Sequence, residues 1–458
     1  MKGRKESAEL TRRVSPSRRT AFEILRRVEE ESAFAAPLLA NSAAELNAED
    51  RALCYELVLG VLRRQLWLDK LVEHYAARAA ESLDAPVRRA LRLGLYQLRF
   101  LARIPSRAAV NESVNLAHAS RLRSAAPFIN AVLRRATREP DFDPATLARN
   151  PSERIAIETS HPVWLIERWS AVFGAHEAEA FARANNRPAH VAFRVNLLRA
   201  EEGAGVFEKL SGAGVEVAPS RVAPGAWRVV GGGGAPLLRT LAAEGLIYMQ
   251  DEASQLVAHV LGARSGERVL DACAAPGSKT TQIAASAGDG ALVVAGDLYV
   301  NRLRVVEELS ARQGLRSIST VALNAETGVP FGDESFDRVL LDAPCTGTGT
   351  LRHNPEIRWR ITAGDVEELA ARQGRILSEV CRAVRRGGRL VYSTCSIETE
   401  ENEDVVEAFL RAHGEFRQVP AAPAAGGLLT PAGAARTWPH RDDVDGFFVA
   451  AFERETRA

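Results

Sequence analysis

Arg268-Val-Leu-Asp-Ala-Cys-Ala-Ala-Pro-Gly-Ser-Lys-Thr280 runs from a short apolar segment into an acid, then into small residues and one glycine. The same shape returns at 291–297, ending on Asp297, and at 336–342, ending on Asp342. A further apolar run follows at 389–394, and amphipathic stretches occupy 302–312 and 366–385. Short apolar runs alternating with helical periods predict an α/β domain, a parallel sheet covered by helices on both faces. In such a Rossmann-like sheet, ligands bind at the carboxyl ends of the strands.

The turn after the first strand narrows the ligand by exclusion. It lacks the G-x-G-x-x-G of a dinucleotide site. It is not a phosphate-binding P-loop either, because Ser278 separates Gly277 from Lys279 and position 272 is alanine. Small residues and Gly277 still let the backbone approach a ligand closely, so Cys273, Ala274, Ala275, Pro276, Gly277, Ser278 and Lys279 form a candidate cradle. Asp297 follows Gly277 by twenty residues, at the end of the next strand, where an acid hydrogen-bonds ribose hydroxyls. Alone, Asp297 would serve equally well as a helix cap. Strand, turn, helix, strand and acid in that order point to an adenosine ligand without a pyrophosphate, which S-adenosylmethionine (SAM) satisfies.

Two of the five cysteines stand apart. Cys54 and Cys381 lie in apolar helical patterns and read as inert core thiols. Cys345, in Asp342-Ala-Pro-Cys345, and Cys395, in Thr394-Cys395-Ser396, both follow strand ends. Glu400 and Glu401 after Cys395 suggest the first turn of a helix capped by Ser396 or Thr399, a setting that favours a thiolate. Carbon 5 of cytosine is a poor nucleophile. A thiolate adding at carbon 6 makes it an enamine that accepts a methyl group, while an acid supports N3 and a base later removes the carbon-5 proton. Asp342 is placed for the N3 role. Lys279 is one of only five lysines among 59 basic residues, which suggests an ammonium that the chemistry needs.

These motifs closely resemble those of the RNA 5-methylcytosine methyltransferases: 271–280, Asp297, Asp342 to Cys345, Thr394 to Ser396 with Glu400-Glu401-Asn402, and Asp445-Gly-Phe-Phe448. The resemblance implies that Cys395 is the nucleophile, that Cys345 assists product release, and that Lys279 is an active-site residue. DNA enzymes of the same chemistry use a proline–cysteine nucleophile, which Pro344-Cys345 mimics, so the roles of the two thiols follow from the family and not from spacing. The family commonly has an acid after the third strand, contacting adenine, where this chain has Asn324, and a second glycine where it has Ser278. Ala21-Phe-Glu-Ile-Leu25, Asp50-Arg-Ala-Leu53 and Phe128-Ile-Asn-Ala-Val-Leu-Arg134 resemble the NusB-type RNA-binding domain. That combination implies the bacterial branch of the family acting on 16S ribosomal RNA, with the target base flipped from its stack.

Composition agrees with a multidomain globular chain: 458 residues, 46% hydrophobic and 26% charged. No apolar run approaches the ~18 residues of a membrane span, and no signal-peptide block is present, so a cytoplasmic protein is expected. An odd cysteine count without C-x-x-C pairs argues against disulfides and structural zinc, so no metal is expected. Three segments are expected: an all-helical bundle over 1–147, a small α+β segment over 148–245, and the SAM-dependent catalytic domain over 246–458. In the second, 191–196 and 215–217 alternate as strands and Gly231 to Gly234 mark a loop. Residues 1–150 carry 26 Lys+Arg against 18 Asp+Glu, consistent with an RNA partner or with a solvated helical surface. Arg12, Arg13, Arg18, Arg19, Arg26 and Arg27 form the candidate phosphate-facing edge. The leading expectation is a monomeric rRNA cytosine-C5 methyltransferase. The same chemistry on tRNA and a catalytically silent RNA-binding factor are the alternatives, with a nicotinamide oxidoreductase remote.

Overall fold

The computed structural model describes residues 14–120, 122–423 and 426–456, so Arg12 and Arg13 lie outside the described residues. Two compact units emerge. The first takes the described residues up to Arg187 together with Leu351–Arg360; the second takes Pro188–Thr350 and the described residues from Ile361 onward.

In the first unit, α1 (Pro16–Glu30), α2 (Ala35–Ser42), α3 (Ala48–Arg63), α4 (Gln65–Ala76), α5 (Ala85–Phe100), α6 (Ser106–Ala119) and α7 (Ala126–Arg138) form a bundle. The residues at helical spacing are its core: Phe22, Leu25, Leu57, Val61, Leu91, Leu95, Ile129 and Leu133 are buried together. Gly60 lets α3 meet α5, since a Cβ there would fall 2.0 Å from the Tyr96 ring. Buried Arg89 and Arg92 are tolerated because they are paired, Arg89 with Glu29 at 2.7 Å and Arg92 with Asp69 at 2.6 Å. The helices α8 (Pro151–Thr159), α9 (Val163–Phe173) and α10 (Ala175–Ala184) belong to this unit, not to the middle segment expected from 148 onward. Leu351–Arg360 packs here too: Glu356 Oε1 accepts the Ala35 N–H at 2.7 Å, and the Trp359 indole donates to the Leu62 carbonyl.

Among the described residues, most of the expected basic edge of α1 is drawn into internal pairs. Arg18 is buried and donates to Gln97 at 2.7 Å. Arg26 is ion-paired with Glu23, Glu30 and Glu31, and Arg27 with Glu31. Acids three to five residues away on the same helix claim these charges, which leaves Arg19 exposed on α1.

The second unit contains two sheets. In the smaller, β1 (Ala192–Val195), β2 (Glu216–Pro219), β3 (Ala226–Gly231) and β4 (Ile247–Met249) are antiparallel in the order β2-β3-β1-β4. The helices α11 (Ala200–Gly212) and α12 (Ala235–Ala243) accompany it, with Phe193, Leu210, Leu238 and Ile247 in a shared core. Gly231 ends β3, so the glycine loop is one residue shorter than expected.

The larger sheet follows α13 (Glu252–Leu261). It runs β10-β12-β9-β8-β5-β6-β7, with β11 beside β12. Its parallel strands are β5 (Arg268–Asp271), β6 (Leu292–Asp297), β7 (Ile318–Ala322), β8 (Phe336–Asp342) and β9 (Val384–Thr394). The helices between them are α14 (Ser278–Ser286), α15 (Val300–Gln313) and α16 (Ala363–Val380); α17 (Glu403–Ala412) precedes β10 (Phe416–Val419), β11 (Ala435–Arg436) and β12 (Phe448–Arg454). The predicted helix over 366–385 ends early, because Val384 and Arg385 already belong to β9. Strand order reverses at β5, with β6 and β7 to one side and β8 and β9 to the other, so the crevice faces the ends of β5 and β8. Among the described residues no helix is long and apolar enough to cross a membrane.

Candidate active site

Register explains the site. Asp342 on β8 pairs with Ser393 on β9, so the loops that follow start side by side. Cys345 is three residues beyond Asp342 and Cys395 two beyond Ser393, and their sulfurs lie 3.4 Å apart. Gly349 donates its N–H to the Cys395 carbonyl at 2.9 Å, and Gly446 donates to the Gly349 carbonyl at 2.8 Å. A Cβ at Gly349 would fall 2.0 Å from the Gly446 oxygen, so only glycine permits this approach.

Asp342 accepts from the Ser393 hydroxyl at 2.7 Å and pairs with the Lys279 ammonium at 2.8 Å. Lys279 comes from the first turn of α14, and its Nζ lies 5.2 Å from the centre of the Phe447 ring. Burial disfavours the charged lysine, but Asp342, Cys395 and Asp271 together outweigh burial and hold its pKa above the ordinary value. Cys345 is pushed well above the usual thiol range by its hydrogen bond to Cys395 and by burial, with Glu401 and Asp342 adding negative charge nearby. Cys273 is pushed up as well, by burial and by Asp271, Asp297 and Asp342, which makes it a neutral wall residue.

A cavity of about 310 Å³ opens at these strand ends. Cys273, Ala275, Asp297, Asn324, Asp342, Cys345 and Cys395 all line it. Asp297 is 4% exposed; its carboxylate accepts the Ala275 N–H at 3.2 Å and the Tyr299 N–H at 3.1 Å. Asn324 lies two residues past Ala322, the register partner of Asp297. Its carboxamide oxygen takes the Glu326 N–H at 3.1 Å, which leaves its NH₂ for a ligand. Ala274, Pro276, Gly277 and Ser278 build the turn behind the cavity. Gly277 has φ +105° and its Cα faces Val306, while Ser278 starts α14 without a left-handed backbone. These donors and acceptors suit an adenosine ligand: a carboxylate at the ribose position, a close backbone turn and a polar amide on the adenine side.

One expectation is corrected. Helix α17 begins at Glu403 with Asn402 before it, and Glu400 and Glu401 lie in a separate 3₁₀ turn, Thr399–Glu401. Cys395 therefore receives no helix N-terminus. Its cationic neighbour is Lys279 instead. Two cationic residues of the site have no local signature in the sequence. Arg302 pairs with Asp297 at 3.4 Å, and Arg372 lines the cavity and pairs with Glu326. Phe447 falls inside the Asp445–Phe448 motif, but its place beneath Lys279 depends on β12 returning beside β9. Cys54 and Cys381 are buried, their thiols pushed up to about 11 and about 12 by burial. Cys381 lies in a 3₁₀ turn after α16, not on a helix face.

Residues 258–453 match the family described as 16S rRNA methyltransferase RsmB/F, 15–138 match the NusB family, and 161–233 match the RsmF/B-like ferredoxin-like domain. The probable ribosomal RNA small subunit methyltransferase B of Bacillus subtilis is 34% identical over 449 residues, covering 95% of this chain and 98% of its own. The ribosomal RNA small subunit methyltransferase B of Pseudomonas putida is 35% identical, covering 89% and 91%. A solved structure, PH0851, aligns over 96% of this chain and 99% of its own with a TM-score of 0.82 and 30% identity. With the fold, the cavity and these relatives in agreement, the chain belongs to the ribosomal RNA small subunit methyltransferase B family, whose catalytic domain is SAM-dependent.

Proposed function

We propose that this chain methylates carbon 5 of a cytosine in 16S ribosomal RNA through a covalent adduct between Cys395 and carbon 6. The observation that carries the reading is the pair of sulfurs 3.4 Å apart in unequal surroundings. Cys345 faces Asp342 and Glu401 and keeps its proton, whereas Cys395 faces the Lys279 ammonium. This asymmetry supports Cys395 as the attacking thiolate.

The Cys395 sulfur bonds to carbon 6, and the electron pair of the 5,6 double bond moves toward N3. In this reading Asp342, expected at N3 itself, acts there through its ion pair: Lys279, oriented by Asp342, provides the proton that N3 takes. SAM, when bound, supplies the electrophilic methyl group that carbon 5 receives. Cys273, Ala275, Asp297 and Asn324 would hold it, with the 274–278 turn behind them. Once Cys345 has released its own proton to solvent, its thiolate takes the carbon-5 proton. The 5,6 double bond re-forms, Cys395 leaves as a thiolate, and the N3 proton returns to Lys279. Anionic neighbours that raise the Cys345 pKa also make its thiolate a strong base.

The test is trapping. Cys345→Ala, incubated with SAM and 16S rRNA, should retain the RNA covalently through a denaturing gel, and Cys345→Ala with Cys395→Ala should not. An adduct on tRNA alone would keep the chemistry and change the substrate. Turnover by Cys395→Ala would refute the assignment of the nucleophile.

A further inference from the structure

Glu401 is fully buried, carries no role in the mechanism above and does not line the cavity. Its Oε1 accepts the backbone N–H of Thr346, next to Cys345, at 2.9 Å. Its Oε2 accepts the Thr346 hydroxyl and the hydroxyl of Ser396, next to Cys395. Gln373 on α16 donates to Oε1 at 3.0 Å and to the Pro344 carbonyl at 2.9 Å. One carboxylate thus gathers four donors, two from the Cys345 loop, one from the Cys395 loop and one from the helix behind them. Four donors favour the ionised carboxylate, against a burial that raises the Glu401 pKa above the ordinary carboxylate value. Thr346 and Ser396 also approach each other at 3.1 Å. Tyr392 closes the back of the cluster, its hydroxyl lying 3.0 Å from Gln373 Oε1. Asn402 stiffens the Cys395 loop by donating to the Ser396 carbonyl at 2.9 Å.

We propose that Glu401 is a positioning residue for both cysteines: one buried carboxylate ties the Cys345 loop to the Cys395 loop, and its charge helps set which sulfur keeps the proton they share. The proposal rests on the two-cysteine reading above and deepens it. Strand register, the Gly349–Cys395 backbone bond and the Thr348 hydroxyl also hold the loops together, and Glu401 adds four side-chain-mediated bonds closest to the two sulfurs. The ionisable groups facing Cys345 are Cys395, Glu401, Asp342 and Tyr392, with Lys279 held by Asp342 and Arg372 on the cavity wall. Glu401 is thus one of two carboxylates that oppose a charge on Cys345. Removing its charge makes Cys345 easier to deprotonate. Shortening it keeps the charge and loses the reach to two loops.

Two variants separate these effects. Glu401→Gln keeps the shape and removes the charge; Glu401→Asp keeps the charge and shortens the arm. The first readout needs no RNA. Cys345 and Cys395 are alkylated with iodoacetamide across pH 6 to 10 in the full chain, and each peptide is quantified by mass spectrometry. In Glu401→Gln the Cys345 midpoint should fall by about one pH unit, the scale of a nearby charge, read as roughly tenfold faster alkylation at each pH below it, and in Glu401→Asp it should stay near wild type. The second readout uses SAM and rRNA. Both variants should lose at least tenfold in kcat with little change in KM. Glu401→Asp should accumulate the same RNA adduct as Cys345→Ala, because the release thiol is displaced. Thr346→Val, which removes one donor and keeps the carboxylate, guards against a Glu401 variant that fails to fold; it should show a smaller kcat loss and an unmoved Cys345 midpoint. An unmoved Cys345 midpoint in Glu401→Gln with wild-type turnover in both variants would overturn the proposal. If Cys345→Ala also traps nothing, the cytosine reading has failed, while the alkylation profile still judges Glu401.

Discussion

Asp271 holds a proton where most aspartates do not. It ends β5, is 1% exposed, and accepts the Thr280 hydroxyl at Oδ2, 2.7 Å away. Burial pushes its pKa up to about 7, with the Asp342 charge adding and Thr280 opposing. Between the unfolded value near ~4 and about 7, the folded chain binds a proton that the unfolded chain has lost, so this group's contribution to stability falls as pH rises through that window. Asp271→Asn keeps an acceptor for Thr280 and cannot ionise. Its stability relative to wild type should therefore improve by on the order of 2 kcal/mol between pH 5 and pH 8. Urea unfolding of both proteins at the two pH values measures this, and an equal difference at both would mean that Asp271 is already ionised in the native chain. Single residues of this kind are only half legible in the sequence. Asp271 is recognisable as the acid that ends a strand, but its protonation depends on burial beneath a sheet that no local pattern describes.

Among the elements, strands ending on an acid are the most legible. β5 and β8 run over the residues their apolar patterns mark, because a buried parallel strand must be apolar along its length and polar where it meets the crevice. Helix starts are less legible. Thr399-Glu400-Glu401 has the composition of a capped first turn, yet Asn402 adopts φ −121° and ψ −94° and the helix begins after it. Backbone angles set by the Thr394–Asn402 and Asn402–Ser396 bonds decide that, and they belong to the loop's closure rather than to its composition. β3 has no clear signature, because its alternation is broken by two adjacent valines and ends in glycine. The glycine at 349 carries a prediction at this scale. Gly349 in the loop after β8 meets the backbone of Gly446 and Cys395, so the Cβ of Gly349→Ala must push the Gly446 and Cys395 oxygens away. Overpacking of this kind costs about 1–3 kcal/mol. Thermal unfolding should register it, and the adduct yield in a Cys345→Ala background should fall several-fold, since the added Cβ presses on the Cys395 carbonyl and so displaces the loop that carries the nucleophile. An unchanged melting temperature together with an unchanged adduct yield would show that the two loops can separate without cost.

At the scale of the whole chain, charge divides more sharply than composition reveals. The first 150 residues carry an excess of basic residues, but the structure neutralises many of them internally: Arg26, Arg27, Arg88, Arg89 and Arg92 all have acid partners. A count of arginines does not distinguish a cation held by a glutamate four residues away from one facing solvent. Among the exposed cations are Arg103 before α6 and Arg107 in its first turn, neither of which forms an ion pair with a described residue. If 16S rRNA is the substrate, these are better placed to meet phosphates than the paired arginines of α1. Every phosphate that the protein ceases to neutralise should lower the slope of log affinity against log salt by about 0.7 to 0.9. Arg103→Ala with Arg107→Ala should therefore weaken binding and flatten that slope by one to two such steps, while Arg26→Ala with Arg27→Ala should leave it nearly unchanged. Filter binding of both double variants to one rRNA fragment across a salt series compares them directly. A flattened slope in the α1 pair instead would mean that its ion pairs open on the RNA and that the free charges of the folded chain are a poor guide to the bound state.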